Sequence, residues 1–171
     1  MLYGASSPGG KAKSAVDDLG DSFKSAPDEE YLLPIGIADV KRQGRDVTIV
    51  ATGLMVHKAF SVAGKLSAEG IECEIVDPRT ITPLDTETIL ESLEKTGRLV
   101  IVTESNAFCG FAAELAALAA CEGVFYLDAP VRRVCAKNSP IPFAPVCEAE
   151  CIPSENDIEE AVRKVCKGII K

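Results

Sequence analysis

From Tyr31 onward, apolar and polar residues follow two periods that succeed one another along the chain. Leu32 to Ile37 is an apolar approach segment, and Asp46 to Thr52, DVTIVAT, is a short β-rich run closed by Gly53. That run predicts a strand. Val56, Phe60, Ala63 and Leu66 then recur at helical spacing until Gly70, so a helix follows. Ile71 to Val76, IECEIV, predicts a second strand that Asp77-Pro78 ends. Thr82-Pro83-Leu84-Asp85 reads as a helix start: a hydroxyl N-cap, proline at the first helical position and a carboxylate three residues after the cap. The helix runs to about Lys95 and stops at Gly97. Leu99 to Val102, LVIV, is a continuous apolar run of the kind found in a strand covered on both faces, and is expected at the centre of the sheet. Cys109-Gly110 leads into an alanine-rich helix through Phe111, Leu115 and Leu118, closed by Gly123. Val124 to Leu127 is the next short apolar run and is expected to be the following strand.

A loop punctuated by Pro130, Pro140, Pro142 and Pro145 comes next. Ser154 then supplies a cap with Asp157 three residues on, and Ile158, Ala161, Val162, Val165 and Ile169 form one apolar stripe of a final helix. Strands alternating with helices imply right-handed crossovers and helices on both sheet faces. The expected fold class is three-layer α/β/α with a mainly parallel sheet of about five strands. Residues 1–30 show no apolar face at either period and are expected to be a flexible linker or tail, leaving 31–171 as the domain. Asp17, Asp18, Asp21, Asp28, Glu29 and Glu30 set that segment apart from a basic, acid-poor targeting presequence.

Composition narrows the function classes. With 171 residues, 47% of them hydrophobic, the chain holds enough apolar material for one core. No long uncharged apolar run suits a membrane span, so a soluble protein is expected. The 26 acidic residues against 18 basic ones give a formal charge of −8, which disfavours nucleic acid as a partner. Seven cysteines, an odd and scattered set with no apolar signal peptide ahead of them, are expected to be reduced thiols in a protein that is not secreted.

The chemistry visible in single residues is sparse. The first strand is followed by Thr52-Gly53-Leu54-Met55, without the further glycines of a dinucleotide fingerprint, and no GxxxxGK[ST] occurs. His57, the only histidine, is a candidate active-site-edge residue about one turn into the first helix, where it is a general base, a ligand or an ordinary polar helix residue. Cys147 and Cys151, four apart with Cys135 nearby, raise a metal reading, but the spacing is not CxxC and no histidine partners it. Cys109 precedes a predicted helix N-terminus, where a dipole favours thiolate; the other reading is a small core residue at a tight turn. By residues alone no catalytic, cofactor-binding or metal residue is assigned. A stand-alone cysteine-rich redox or metal-binding α/β protein, and a small enzyme with His57 as base, stay open at this point.

Longer stretches add a resemblance. LPIGIADVKRQGRDVTIVATGLMVH (33–57), EGIECEIVDPRTITPLDTETILESLEKTGRLVIV (69–102), CGFAAELAA (109–117), LDAPVRRV (127–134) and SPIPFAP (139–145) resemble the transketolase-like C-terminal domain of E1 β subunits of 2-oxo acid dehydrogenase complexes. TESNAFCG and NSPIPFAP are most similar to the pyruvate and acetoin types, and Leu2-Tyr3-Gly4 resembles the end of the pyrimidine-binding domain that precedes this one. The resemblance implies an E1 assembly that uses thiamine diphosphate and Mg²⁺, with those motifs outside this chain. It implies three partners: an E1 α subunit, a second β subunit, and the E2 peripheral subunit-binding domain. It also implies that E2 docking uses Asp128, in the Leu-Asp-Ala-Pro turn, and Lys171 at the end of the chain; the other reading of Asp128 is a turn cap beside Pro130. The expected location is the cytoplasm in a bacterium, and the mitochondrial matrix or plastid in a eukaryote.

Overall fold

Strand formation follows the apolar runs closely in the middle of the chain. The computed structural model describes residues 32–167, within a compact unit that starts at Leu33. The expectations for residues 1–30, for Ile169 and for Lys171 lie outside the described residues. The elements are β1 (Asp39–Arg42), β2 (Val47–Ala51), α1 (Leu54–Ser67), β3 (Cys73–Asp77), α2 (Thr86–Thr96), β4 (Leu99–Asn106), α3 (Phe111–Cys121), β5 (Arg132–Ala136), α4 (Pro145–Cys151) and α5 (Glu155–Val165). Five strands form one sheet in the order β1-β3-β2-β4-β5, parallel except for β1, which runs antiparallel to β3. No helix among the described residues is long and apolar enough to cross a membrane.

Period-two alternation divides the core into two layers. Val47, Ile49 and Ala51 of β2, Cys73 and Ile75 of β3, and Val100 and Val102 of β4 pack with α1 and α5. Val50, Val76, Leu99 and Ile101 face the other way, onto α2 and α3. This is the expected three-layer arrangement, and it explains why LVIV is apolar without a break. Thr48 shares the second face, where its hydroxyl donates to the Ser92 carbonyl at 2.8 Å and lies 2.8 Å from Thr96 Oγ1. Glu74, 1% exposed on the same face, is compensated by Lys95 of α2 and by the Gly44 N–H, which donates to Oε2 at 3.2 Å. Gly44 has no room for a side chain, since a Cβ there would stand 2.1 Å from the Glu74 backbone nitrogen.

Four sequence expectations are corrected, and one strand is added. The centre of the sheet is β2, with β4 beside it. The run Val124 to Leu127 forms a 3-10 turn, Val124–Tyr126, because its residues stand at the end of α3 with no strand partner; the strand is β5, later in the chain. The helix after β3 begins at Thr86, not at Pro83: the Thr82-Pro83 peptide is cis and Asp85 is the N-cap, accepting from the Thr88 N–H at 3.0 Å. The proline-punctuated segment contains α4, a short helix with Pro145 at its first turn and no buried residue. Asp39–Arg42, which carries no apolar run, is an edge strand held by its pairing with β3.

Helix α5 is fixed to α1 by charge and hydrogen bonding. Ser154 and Asp157 form a reciprocal capping box. Lys58 Nζ donates to the Pro153 carbonyl at 2.6 Å, Lys65 meets Glu155 at 2.7 Å, and Arg163 bridges to Glu69 at 2.7 Å. The Ser154 hydroxyl and backbone hold the Asp157 carboxyl below the usual range, and Lys65 does the same for Glu155. Both acids therefore bind fewer protons folded than unfolded. Their stabilisation is complete above the ordinary values of 3.8 and 4.5 and is lost as pH falls through the lower folded values. Ser154→Ala is expected to cost about 1 kcal/mol in urea unfolding at pH 7. In a melting series from pH 7 to pH 3, the wild type should hold its Tm to about pH 4.5 and then fall. The variant should fall less.

Candidate functional site

A parallel sheet sends all its strand-to-helix loops to one end and all its helix-to-strand turns to the other. His57 and Asp128 stand at opposite ends. At the end where the parallel strands finish, α1 starts directly after Gly53, and half-buried His57 lies in its first turns. This crevice between β2 and β4 is where the chain switches from building one side of the sheet to the other, the position at which open α/β sheets take ligands. Here the Glu104 carboxylate occupies the space beside Gly53: a Cβ at Gly53 would lie 3.3 Å from Glu104 Oε2. A carboxylate in that position disfavours phosphate. Burial pushes the Lys58 ammonium down, while Glu104, Glu155 and Asp157 oppose that shift, and its bond to Pro153 commits it to holding α5.

Among the described residues no three His, Cys, Asp or Glu side chains are placed to share a metal ion. Thr103 Oγ1 donates to Cys135 Sγ at 3.9 Å, Cys151 Sγ lies 3.9 Å from the Ser139 hydroxyl, and Cys147 is exposed on α4. Cys135 and Cys151 line an open groove of about 330 Å³ between β5, α4 and α5 that is rimmed by Arg132, Lys137, Glu150 and Lys164. Cys73 and Cys166 are buried, and desolvation pushes their thiols up to about 12 and about 11. Cys109 sits exposed at the turn into α3 with φ 53°, ahead of Gly110, where a Cβ would collide with the Asn106 carbonyl at 2.0 Å.

What this end of the sheet does present is apolar surface. Ile81 in the β3–α2 loop, Phe108 in the β4–α3 loop, and Ile141 and Phe143 in the β5–α4 loop are all exposed, as are Ile35 and Ile37 leading into β1. Hydrogen bonds tie these loops together: Gly36 N–H to Thr80 Oγ1 at 3.1 Å, Ala38 N–H to Asp85 Oδ2 at 2.9 Å, and Phe108 N–H to Asn138 Oδ1 at 3.0 Å. Six large apolar side chains are thus left in water on the loops at one end of the sheet. Sequence pattern names these residues as apolar but not as exposed.

The opposite end is charged. Asp128 follows the 3-10 turn, and its N–H donates to the Gly97 carbonyl at 2.7 Å. Its side chain is 66% exposed and stands 3.7 Å from Arg98 Nη2. Arg98 is already engaged, since its Nη1 donates to the carbonyls of Asp46 and Thr96 at 3.3 Å each. Cys166, at the end of α5, feels the charges of Arg98 and Asp46, so the last described turn reaches this same end.

The fold defines a three-layer α/β module with apolar loops at one end of its sheet and charged turns at the other. The family described as transketolase, C-terminal domain, matches residues 36–158, and the chain belongs to that family. Among curated relatives, it is 46% identical over 132 residues to the β subunit of acetoin:2,6-dichlorophenolindophenol oxidoreductase of Bacillus subtilis, covering 77% of this chain and 39% of that one. It is 46% identical to the pyruvate dehydrogenase E1 component subunit β of Rickettsia felis, covering 86% and 45%. It is 39% identical to the 2-oxoisovalerate dehydrogenase subunit β of Bacillus subtilis, covering 82% and 43%. The chain thus spans about two fifths of the length of these relatives. Among solved structures, a split-gene transketolase, an inactive β4 tetramer, matches with a TM-score of 0.69 and 30% identity over 84% of this chain and 45% of that one.

Two outcomes follow from this geometry. Asp128→Ala should leave stability within about 0.5 kcal/mol, because its carboxylate is exposed and its loop is held by backbone. Thiol titration of the native protein should modify exposed Cys109, Cys121 and Cys147 quickly, and Cys73 and Cys166 only after unfolding.

Proposed function

We propose that this chain serves as the C-terminal domain of a thiamine diphosphate-dependent E1 β subunit of the pyruvate or acetoin dehydrogenase type. Its work there is assembly and docking. The apolar loops at the finishing end of the strands pack against other parts of an E1 assembly of α and β subunits. The charged end receives the peripheral subunit-binding domain of E2. Support for the division comes chiefly from one observation: an exposed carboxylate, Asp128, on a turn fixed by backbone hydrogen bonding, at the sheet end opposite the apolar loops. The β-subunit relatives point to the assembly, and a net charge of −8 suits a basic partner.

On this reading the isolated chain turns over no 2-oxo acid. Thiamine diphosphate and Mg²⁺ belong, on this reading, to the rest of the assembly; among the described residues no three His, Cys, Asp or Glu side chains are placed to share a metal ion. The expected compartment is that of such complexes: cytoplasm in a bacterium, mitochondrial matrix or plastid in a eukaryote.

Calorimetric titration with an E2 peripheral subunit-binding domain tests the docking half. Binding should weaken steeply with added salt, and Asp128→Ala should lower affinity about tenfold, or roughly 1.4 kcal/mol. Binding that ignores both salt and the substitution would sink the reading.

A further inference from the structure

We infer that Phe125, carried on the 3-10 turn beside Asp128, is the apolar anchor of the docking surface, and that the partner seats it in an apolar recess next to a lysine or arginine. The inference rests on the docking reading above and supplies the half of the surface that charge does not. Phe125 is 97% exposed, the fullest exposure of any aromatic at this end of the sheet. A ring left in water gains most when a partner covers it, and buried aromatic anchors carry a large share of interface energy.

The turn that holds the ring is fixed at both ends. Before it, Gly123 is pressed onto α2, where a Cβ would stand 2.8 Å from Leu93 Cδ2 and 3.1 Å from Leu90 Cδ2. After it, Leu127 packs against the core beneath α2 and α3, and the Asp128 N–H holds the Gly97 carbonyl at 2.7 Å. Within it, the Tyr126 N–H donates to the Gly123 carbonyl at 3.0 Å. Binding through a turn already ordered loses little backbone freedom.

Charge selects the occupant. The turn is flanked by two exposed acids, Glu122 and Asp128. Arg98, held by two carbonyls, pairs loosely with Asp128 at 3.7 Å, and the Asp128 side chain, 66% exposed, still presents its carboxylate to a partner's cation. A second copy of this chain seated here would bring the same acids face to face across a two-fold axis. A basic domain would not.

The test uses the whole chain, titrated by calorimetry with an E2 peripheral subunit-binding domain at two salt concentrations and two temperatures. Phe125→Ala should weaken binding at least tenfold, make the heat-capacity change of binding less negative and leave the salt slope unchanged. Asp128→Ala should flatten the salt slope, and Phe125→Leu should recover much of the lost affinity. If Asp128→Ala weakens binding and Phe125→Ala does not, the anchor is overturned while the docking reading stands. If the wild type does not bind, both fall. Dissociation of a wild-type dimer by Phe125→Ala in sedimentation would place the ring in a self-contact and overturn the inference.

Discussion

A parallel sheet buried on both faces sends its connecting loops to its two ends, and the organisation of this domain follows from that constraint. Residues 47, 49 and 51 of β2 face α1 and α5, while residue 50 faces α2 and α3, so both layers of helix are needed to keep the strand dry. Once the helices are in place, every strand-to-helix loop emerges at one end and every returning turn at the other. Ile81, Phe108 and Phe143 share the first end through three different loops. Phe125, Asp128 and Arg98 share the second through two turns.

The two ends carry different physics. The first is apolar, and its switch-point crevice is occupied by a carboxylate, Glu104, where many open α/β sheets hold phosphate. The second presents acids and the ring of Phe125 on a turn with little freedom to move. Exposed ion pairs and the N-cap of α5 join α1 and α5 at the surface, over the apolar contacts that hold the final helix, and bring its described end to the same side as Asp128. Apolar packing suits permanent subunit contact, and charge suits a partner that must find its place quickly and specifically.

Elements with a short apolar, β-branched run or a helical stripe are legible in the sequence: β2, β3, β4 and the stripes of α1, α3 and α5. Those whose existence depends on a neighbour were not. Asp39–Arg42 is a strand because β3 pairs with it, and Arg132–Ala136, opening with two arginines, because β4 does. Val124 to Leu127 looks more like a strand than either, but it closes α3 as a turn, with Leu127 inward and Phe125 outward. At Thr82 the hydroxyl–proline pair imitated a helix cap, whereas Asp85, three residues on, accepts the capping bond. Asp128 was named through the family resemblance alone, and nothing in the local pattern distinguished an exposed Phe125 from a core residue. Both depend on how the turn lies against α2, a tertiary fact.

The central claim is that the two ends of the sheet serve different partners, and hydrogen–deuterium exchange on the whole chain with and without an E2 peripheral subunit-binding domain tests it most directly. The account predicts new protection confined to residues 122–130 and the adjoining 97–98, with residues 106–111 and 138–146 unchanged. Protection of the apolar loops, with the turn around Phe125 and Asp128 left as open as before, would contradict it.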